Sequence, residues 1–243
     1  MISMKDWERY IVRLKKISDK AAADMQAYVD RFGFDNTTAI IYQAYDLATV
    51  YGEAAGAAAC DMYDAIAEIS HASVPPAVPA ETATYGEVAK AINGALKQGS
   101  EGQVPQIVGR KVKQAGADTT LKNAIRDGAE FAWVPHGDTC AFCMTLASRG
   151  WQTASKAALK GGHAEHIHSN CDCEYAIRFD DRGGVRGYDP DRYLRIYREH
   201  NGDINSIRRE QYQANKEKIN AQKREAYRER QADEPLDGFV EKG

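Results

Sequence analysis

Between Trp7 and Phe32 the apolar side chains Trp7, Tyr10, Ile11, Leu14, Ile17, Ala21, Met25, Tyr28, Val29 and Phe32 return at three- and four-residue steps, the spacing of one helix face. That pattern predicts a helix ended by Gly33. Asp35 stands where it would cap a second helix through Ile40, Tyr42, Tyr45, Leu47, Tyr51, Met62, Ile66 and Ile69. Gly52, Gly56 and the alanines between them would admit a close neighbour. Together the two helices predict a helical hairpin over residues 1–72.

Residues 73–79 read SVPPAVP and hold three of the chain's seven prolines, so no helix continues through them. A linker or sharp corner over 73–83 is predicted. Thr84 and Glu87 then form a capping box ahead of Val88, Ile92 and Leu96, with Gly99 closing that helix. Two further short helices are expected near 105–114 and 119–126. Beyond Gly128 the period changes: Phe131, Trp133 and Val134 before Pro135 predict a short strand, and the alternation of Tyr175, Ile177 and Phe179 predicts another. After a Gly-rich turn at 182–187 come an aromatic helix with Tyr188, Tyr193, Leu194 and Tyr197, and a tail over 207–230 without glycine or proline. The tail's apolar stripe is thin, so it should be a helix that needs a partner. The fold class expected is mainly α with a small α+β module, long N-terminal helices and a C-terminal tail helix.

Composition changes this picture little. With 43% hydrophobic and 28% charged residues the chain belongs with packed globular proteins, not with disordered or collagenous ones. A formal net charge of -3 announces no nucleic-acid or membrane partner as a whole. The tail differs: Arg208, Arg209, Lys216, Lys218, Lys223, Arg224, Arg228 and Arg230 stand against four glutamates over 207–230, which offers a contact to DNA phosphates or to an acidic protein surface. The opening MISMKDWERYIVRLKK is broken by charges too often for a signal-peptide core, and the small-apolar run at 54–60 is far short of the roughly 20 residues of a membrane span. Neither export nor a membrane partner is expected.

Of five cysteines, Cys60 stands alone in an Ala-rich helical run and reads as a small apolar residue, while the other four form two tight pairs. Cys140 and Cys143 are spaced C-x2-C, which lets a tight turn aim two thiolates at one ion. About thirty residues on, His168, Cys171 and Cys173 form H-x2-C-x-C and lead into the second strand. In a chain without a secretory signal such pairs favour metal over disulfides, and thiolate-rich tetrahedral sites select zinc. Five candidates compete for four positions: either the four cysteines bind with His168 beside them, or His168 replaces one thiol. A site filled by protein ligands is closed and does structural work, so no catalytic residues and no small-molecule substrate are expected.

Enzymatic readings fit less well. His163, Ala164 and Glu165 give the first half of a zinc-deaminase signature, but the C-x-x-C half precedes it here instead of following. His136 and Cys140 lie close in sequence, yet no oxyanion-hole motif accompanies them and they read as surface polar residues. His163 and His166 fall in a glycine-bounded loop. The competing class is a metal-dependent nuclease or toxin that uses the histidines at 163–168 on nucleic acid.

The segments RDGAEFAWVPHGDTCAFCMTLASRGW and HIHSNCDCEYAIRF resemble the phage Mu F-like minor head proteins, particularly the minor capsid proteins of tailed phages infecting Gram-positive bacteria. The likeness covers residues 126–179, with C-A-F-C-x-x-L-A-S-R-G its most telling part. Family members often place arginine before Val-Pro where this chain has Trp133, a departure that touches the strand and not the ligands. The resemblance implies a head-morphogenesis domain over 84–180 with its knuckle at 126–180, followed by a charged helical tail over 181–243. It also implies a non-enzymatic virion protein at the capsid interior or portal vertex, present in the host cytoplasm during assembly, with portal and capsid proteins as partners. Some relatives carry a fused protease or toxin nuclease; residues 180–243 show no such segment.

Overall fold

The computed structural model describes residues 1–137, 139–155 and 173–233. Helix α1 (Met4–Phe32) starts at Ser3, whose hydroxyl accepts the Asp6 amide at 3.1 Å, and is closed by the Gly33 amide on the Val29 carbonyl at 2.8 Å. Helix α2 (Thr37–Ile69) is capped by Asn36 and not by Asp35, because the oxygen one residue ahead of Thr37 is the one that reaches the Ala39 amide, at 3.0 Å. Helix α3 (Tyr85–Lys97) opens on the expected capping box, with Glu87 accepting the Thr84 amide and Thr84 the Glu87 amide.

A short 3-10 turn (Glu101–Gln103) leads into α4 (Val104–Asp127), a single helix where two short ones were expected. The reason is position. This helix packs against α1, α2, α3 and the sheet and leaves only a narrow polar line at Gln106, Arg110, Gln114, Asp118, Lys122 and Arg126, while the buried polar residues Lys113, Thr119, Thr120 and Asn123 blur its period. Gly116, Thr119 and Thr120 look like a break in sequence. In place, both threonine hydroxyls donate to carbonyls one turn back, Ala115 at 2.8 Å and Gly116 at 3.3 Å, and burial overrides propensity.

The proline segment is a strap laid along this bundle. Pro75, Pro76 and Pro79 have no N–H, and each remaining amide of 77, 78 and 80 donates to a helix side chain: Ala77 to Asp64 at 2.7 Å, Val78 to Asn123 at 3.0 Å and Ala80 to Thr119 at 3.0 Å. Returning bonds hold the carbonyls: Arg126 donates to Pro75 and Pro76, Asn123 to Val78, and Lys122 to Pro79. Gly52 and Gly56 admit the strap. A Cβ at Gly52 would lie 2.9 Å from Thr82 Cγ2, and one at Gly56 would lie 3.3 Å from Pro79 Cβ. Beside the strap, Arg126 grips Asp127 through two bonds of 2.7 Å, and the Tyr63 hydroxyl donates to the same carboxylate at 2.8 Å. The Arg126 guanidinium and the Tyr63 hydroxyl hold the Asp127 carboxyl below the usual range, against the opposing effect of burial.

Gly128, at φ +65°, ends α4 in the left-handed conformation and turns the chain into β1 (Glu130–Val134). This strand is the centre of a three-stranded antiparallel sheet in the order β2-β1-β3, with β2 at Gln152–Thr153 and β3 at Glu174–Arg178. The two-residue β2 was not foreseen; it is too short to leave a pattern. Both main strands are buried on both faces, packed on α4 and on α5 (Ala141–Ala147). After the Gly-rich turn follow α6 (Pro190–Glu199), capped by Asp189, and α7 (Ile204–Asp233). The start of the chain is stitched to that turn: Ile2, only 3% exposed, donates to Gly184 O at 2.9 Å and accepts from Arg186 N at 3.1 Å, forming a parallel bridge with Val185. Among the described residues no helix is long and apolar enough to cross a membrane.

Candidate metal centre

The last rung of the β1–β3 ladder pairs Val134 with Glu174, so residues 135–136 and Cys173 leave the sheet side by side. The His136 amide donates to Cys173 Sγ at 3.4 Å, and that sulfur lies 4.0 Å from the His136 carbonyl oxygen. Cys140 follows four residues later, which is at most about 14 Å of extended chain. Strand pairing thus carries Cys173 to His136, four residues ahead of Cys140. Cys140 is half-buried in extended backbone at the head of α5, its carbonyl accepting the Met144 amide at 3.0 Å, and Cys143 sits inside the helix at 1% exposure. Cys143 and Cys173 belong to the buried core, and Cys140 packs against it.

The C-terminal helices close over this end of the sheet. Gln211 of α7 donates to the Thr139 carbonyl at 2.8 Å and reaches Met144 Sδ at 2.9 Å, while Ile207 is buried one turn earlier. Tyr188 donates to the Ala147 carbonyl at 2.9 Å and meets Trp151 edge to face, with ring centroids 5.8 Å apart. The Arg178 guanidinium lies over the Trp151 ring and donates to Glu130 at 2.6 Å. Burial raises the Tyr193 phenol above its ordinary value, Arg192 opposes this, and the thiol of Cys173 adds a smaller upward push.

Of the five predicted ligands, Cys140, Cys143 and Cys173 are placed in this module, whereas His168 and Cys171 lie outside the described residues, as do His163, Glu165 and His166. Among the described residues no three His, Cys, Asp or Glu side chains are gathered closely enough to hold an ion. Two local features suit a charged thiolate centre here. An amide already points at Cys173 Sγ, which favours the ionised sulfur, and His136 Nδ1 is buried with no hydrogen-bond partner among the described residues. Cys60 is remote from the module in sequence and stands on α2, half-buried; burial and the nearby Asp64 and Asp61 raise its thiol pKa.

Sequence reasoning set His136 aside as a surface residue, yet its backbone brackets Cys173. The available signal was its place in V-P-H-G-D-T-C, directly after a strand whose partner ends at a cysteine. Gln211 was missed altogether, since nothing in a charged tail singles out one glutamine.

The family model of the VG15 protein matches residues 1–200, which spans the helical bundle, the sheet and α6. No curated protein and no solved structure matches the chain.

Proposed function

Because the chain belongs to the VG15 protein family, a family of viral gene products, we propose that it is a structural minor head protein of a tailed phage, acting without catalysis at the capsid interior or portal vertex. Portal and capsid proteins are its partners in this reading, and the basic face of α7 is available to DNA. The module built on β1, α5 and β3 is stapled by one structural zinc. Its ligands are Cys140, Cys143, Cys171 and Cys173 with His168 beside them, or three of these thiols with His168 in place of the fourth.

The observation that carries the metal reading is the His136–Cys173 contact. It brings two cysteine segments about thirty residues apart in sequence to one end of a sheet whose two main strands have only five residues each. A sheet that small gains from a cross-link, and binding an ion that the unfolded chain cannot hold adds directly to folding free energy. The resemblance of residues 126–179 to the Mu F-like minor head proteins supplies the virion role.

Metal analysis of the purified full chain tests the proposal. One zinc per chain is expected, lost on Cys171→Ser with Cys173→Ser, and chelation should speed hydrogen exchange in 131–155 and 173–179 before it does so in α1 and α2. A metal-free protein of unchanged stability would refute the staple. Cutting of DNA or RNA that depends on added metal and disappears with His166→Ala or His168→Ala would replace the structural reading with a nuclease. Failure to co-purify with portal protein when co-expressed would remove the portal assignment.

A further inference from the structure

The outer face of α2 has a character that the bundle does not use. This helix contains no lysine or arginine and five acidic residues, Asp46, Glu53, Asp61, Asp64 and Glu68. Tyr42, Asp46, Val50, Glu53 and Ala57 recur at three- and four-residue steps and all are exposed, with Tyr42 at 57% and Val50 at 63%. At the strap end of α3 the stripe widens into an open cleft of ≈ 480 Å³ lined by Tyr45, Glu53, Ala57, Glu81, Thr84 and Tyr85. Tyr85 sits between Tyr42 and Tyr45, with ring centroids 5.2 Å and 5.7 Å away. The neighbouring cation Lys122 is engaged by the Pro79 carbonyl, and Arg13 is paired with Asp61, so Glu53 and Glu81 make the cleft acidic and Asp46 extends that charge along the exposed stripe of α2. Tyrosine faces framed by carboxylates suit guanidinium and ammonium groups presented on an amphipathic surface.

The same chain carries the complement. Helix α7 is anchored to α5 and α6 through its first two turns, at Ile207 and Gln211. From Tyr212 to Arg228 it is exposed or half-exposed throughout and holds five basic residues against two glutamates. From 212 to 233 it spans about 33 Å, which matches the acidic stretch of α2.

We propose that α7 of one copy docks on the α2 face of a second copy, its Lys216, Lys223, Arg224 and Arg228 meeting Asp46, Glu53 and Glu81 beside the tyrosine cluster. Two different surfaces meet, so the contact is head-to-tail and either closes into a ring or extends. Opposite charges steer the two faces together, and the tyrosines supply apolar area at the centre.

Sedimentation velocity on the full chain tests this at about 50 mM and about 500 mM salt, where screening of exposed charges differs strongly. Concentration-dependent association is expected at low salt, weakened at least about tenfold at high salt. A tail variant (Lys216→Glu, Lys223→Glu, Arg224→Glu, Arg228→Glu) and an α2 variant (Asp46→Lys, Glu53→Lys, Glu81→Lys) should each be monomeric, and mixing the two should restore association, because the unaltered tail of one meets the unaltered α2 face of the other and the exchanged charges are complementary as well. If the α2 variant fails to fold by circular dichroism, Asp46→Asn, Glu53→Gln, Glu81→Gln replaces it and is expected to weaken association of the unaltered chain. A wild-type monomer at every concentration overturns the proposal, as does association that survives both variants, or a mixture that stays monomeric. Duplex binding lost in the tail variant of a strictly monomeric chain assigns α7 to nucleic acid instead.

Discussion

Asn123 is fully buried on α4, and its side chain serves the strap as a neighbouring strand would. Its Oδ1 accepts the Val78 amide at 3.0 Å, while its Nδ2 donates to the Val78 carbonyl and the Thr119 carbonyl, both at 2.8 Å. Asn123→Ala removes two strap bonds worth about 1 kcal/mol each and leaves a small void, a loss of about 2–3 kcal/mol. Asn123→Asp is nearly isosteric and should cost more. At neutral pH it turns a carboxylate oxygen onto two carbonyls that had a donor, leaving a buried charge badly solvated, at about 3–5 kcal/mol. With a urea slope of about 3 kcal/mol/M, the midpoint falls by at least about 1 M. The variant also carries its own pH signature. The folded site disfavours the charged form, so the new carboxyl titrates above the ordinary aspartate value near 3.9. Between those two values the folded state binds more protons than the unfolded one, and stability falls as pH rises. The deficit relative to wild type should therefore be largest at pH 7 and shrink toward pH 4. An aspartate variant within about 1 kcal/mol of wild type at pH 7, or a deficit independent of pH, would show that the strap does not depend on this amide.

Asp127 has the opposite sign. Its folded pKa is depressed by Arg126 and Tyr63, so its contribution is complete above the ordinary aspartate value and is lost as pH falls through the folded value. Asp127→Asn should cost about 1–3 kcal/mol at pH 7, and its urea midpoint should converge with wild type on acidification below about pH 4. Two glycines make a matched pair. Gly52→Ala pushes a methyl against Thr82 Cγ2, 2.9 Å away, and should destabilise by about 1–2 kcal/mol, whereas Gly94→Ala on α3 meets nothing within 4 Å and should stabilise by about 0.5–1 kcal/mol in the same thermal melts.

What could be read from sequence follows from how each element is solvated. Helices α1 and α3 lie against the core on one side, so their periods and their ends at Gly33 and Thr84 are visible in the residues. Helix α4 is buried on most sides and carries polar residues such as Lys113, Thr119 and Asn123 inside, which hide its stripe. The strap was legible as three prolines, but its docking is encoded elsewhere, in Asp64, Thr119, Asn123 and Arg126, polar residues on helices that look like ordinary surface until the strap lies on them. The cysteine pairs were conspicuous by spacing. The contact of Cys173 with His136 depends on the pairing of Val134 with Glu174, a long-range register that no local pattern specifies.

The bridge between Ile2 and Val185 bears on how the molecule yields under tension. A load applied at the first residues meets a strand-like shear contact at once, and passes to the turn behind β3 as well as into α1. The bundle and the sheet consequently share mechanical stress from the outset. In single-molecule stretching from the amino end, rupture of this latch should precede any unravelling of α1, as a small first peak that Ile2→Pro, which lacks the donating amide, weakens.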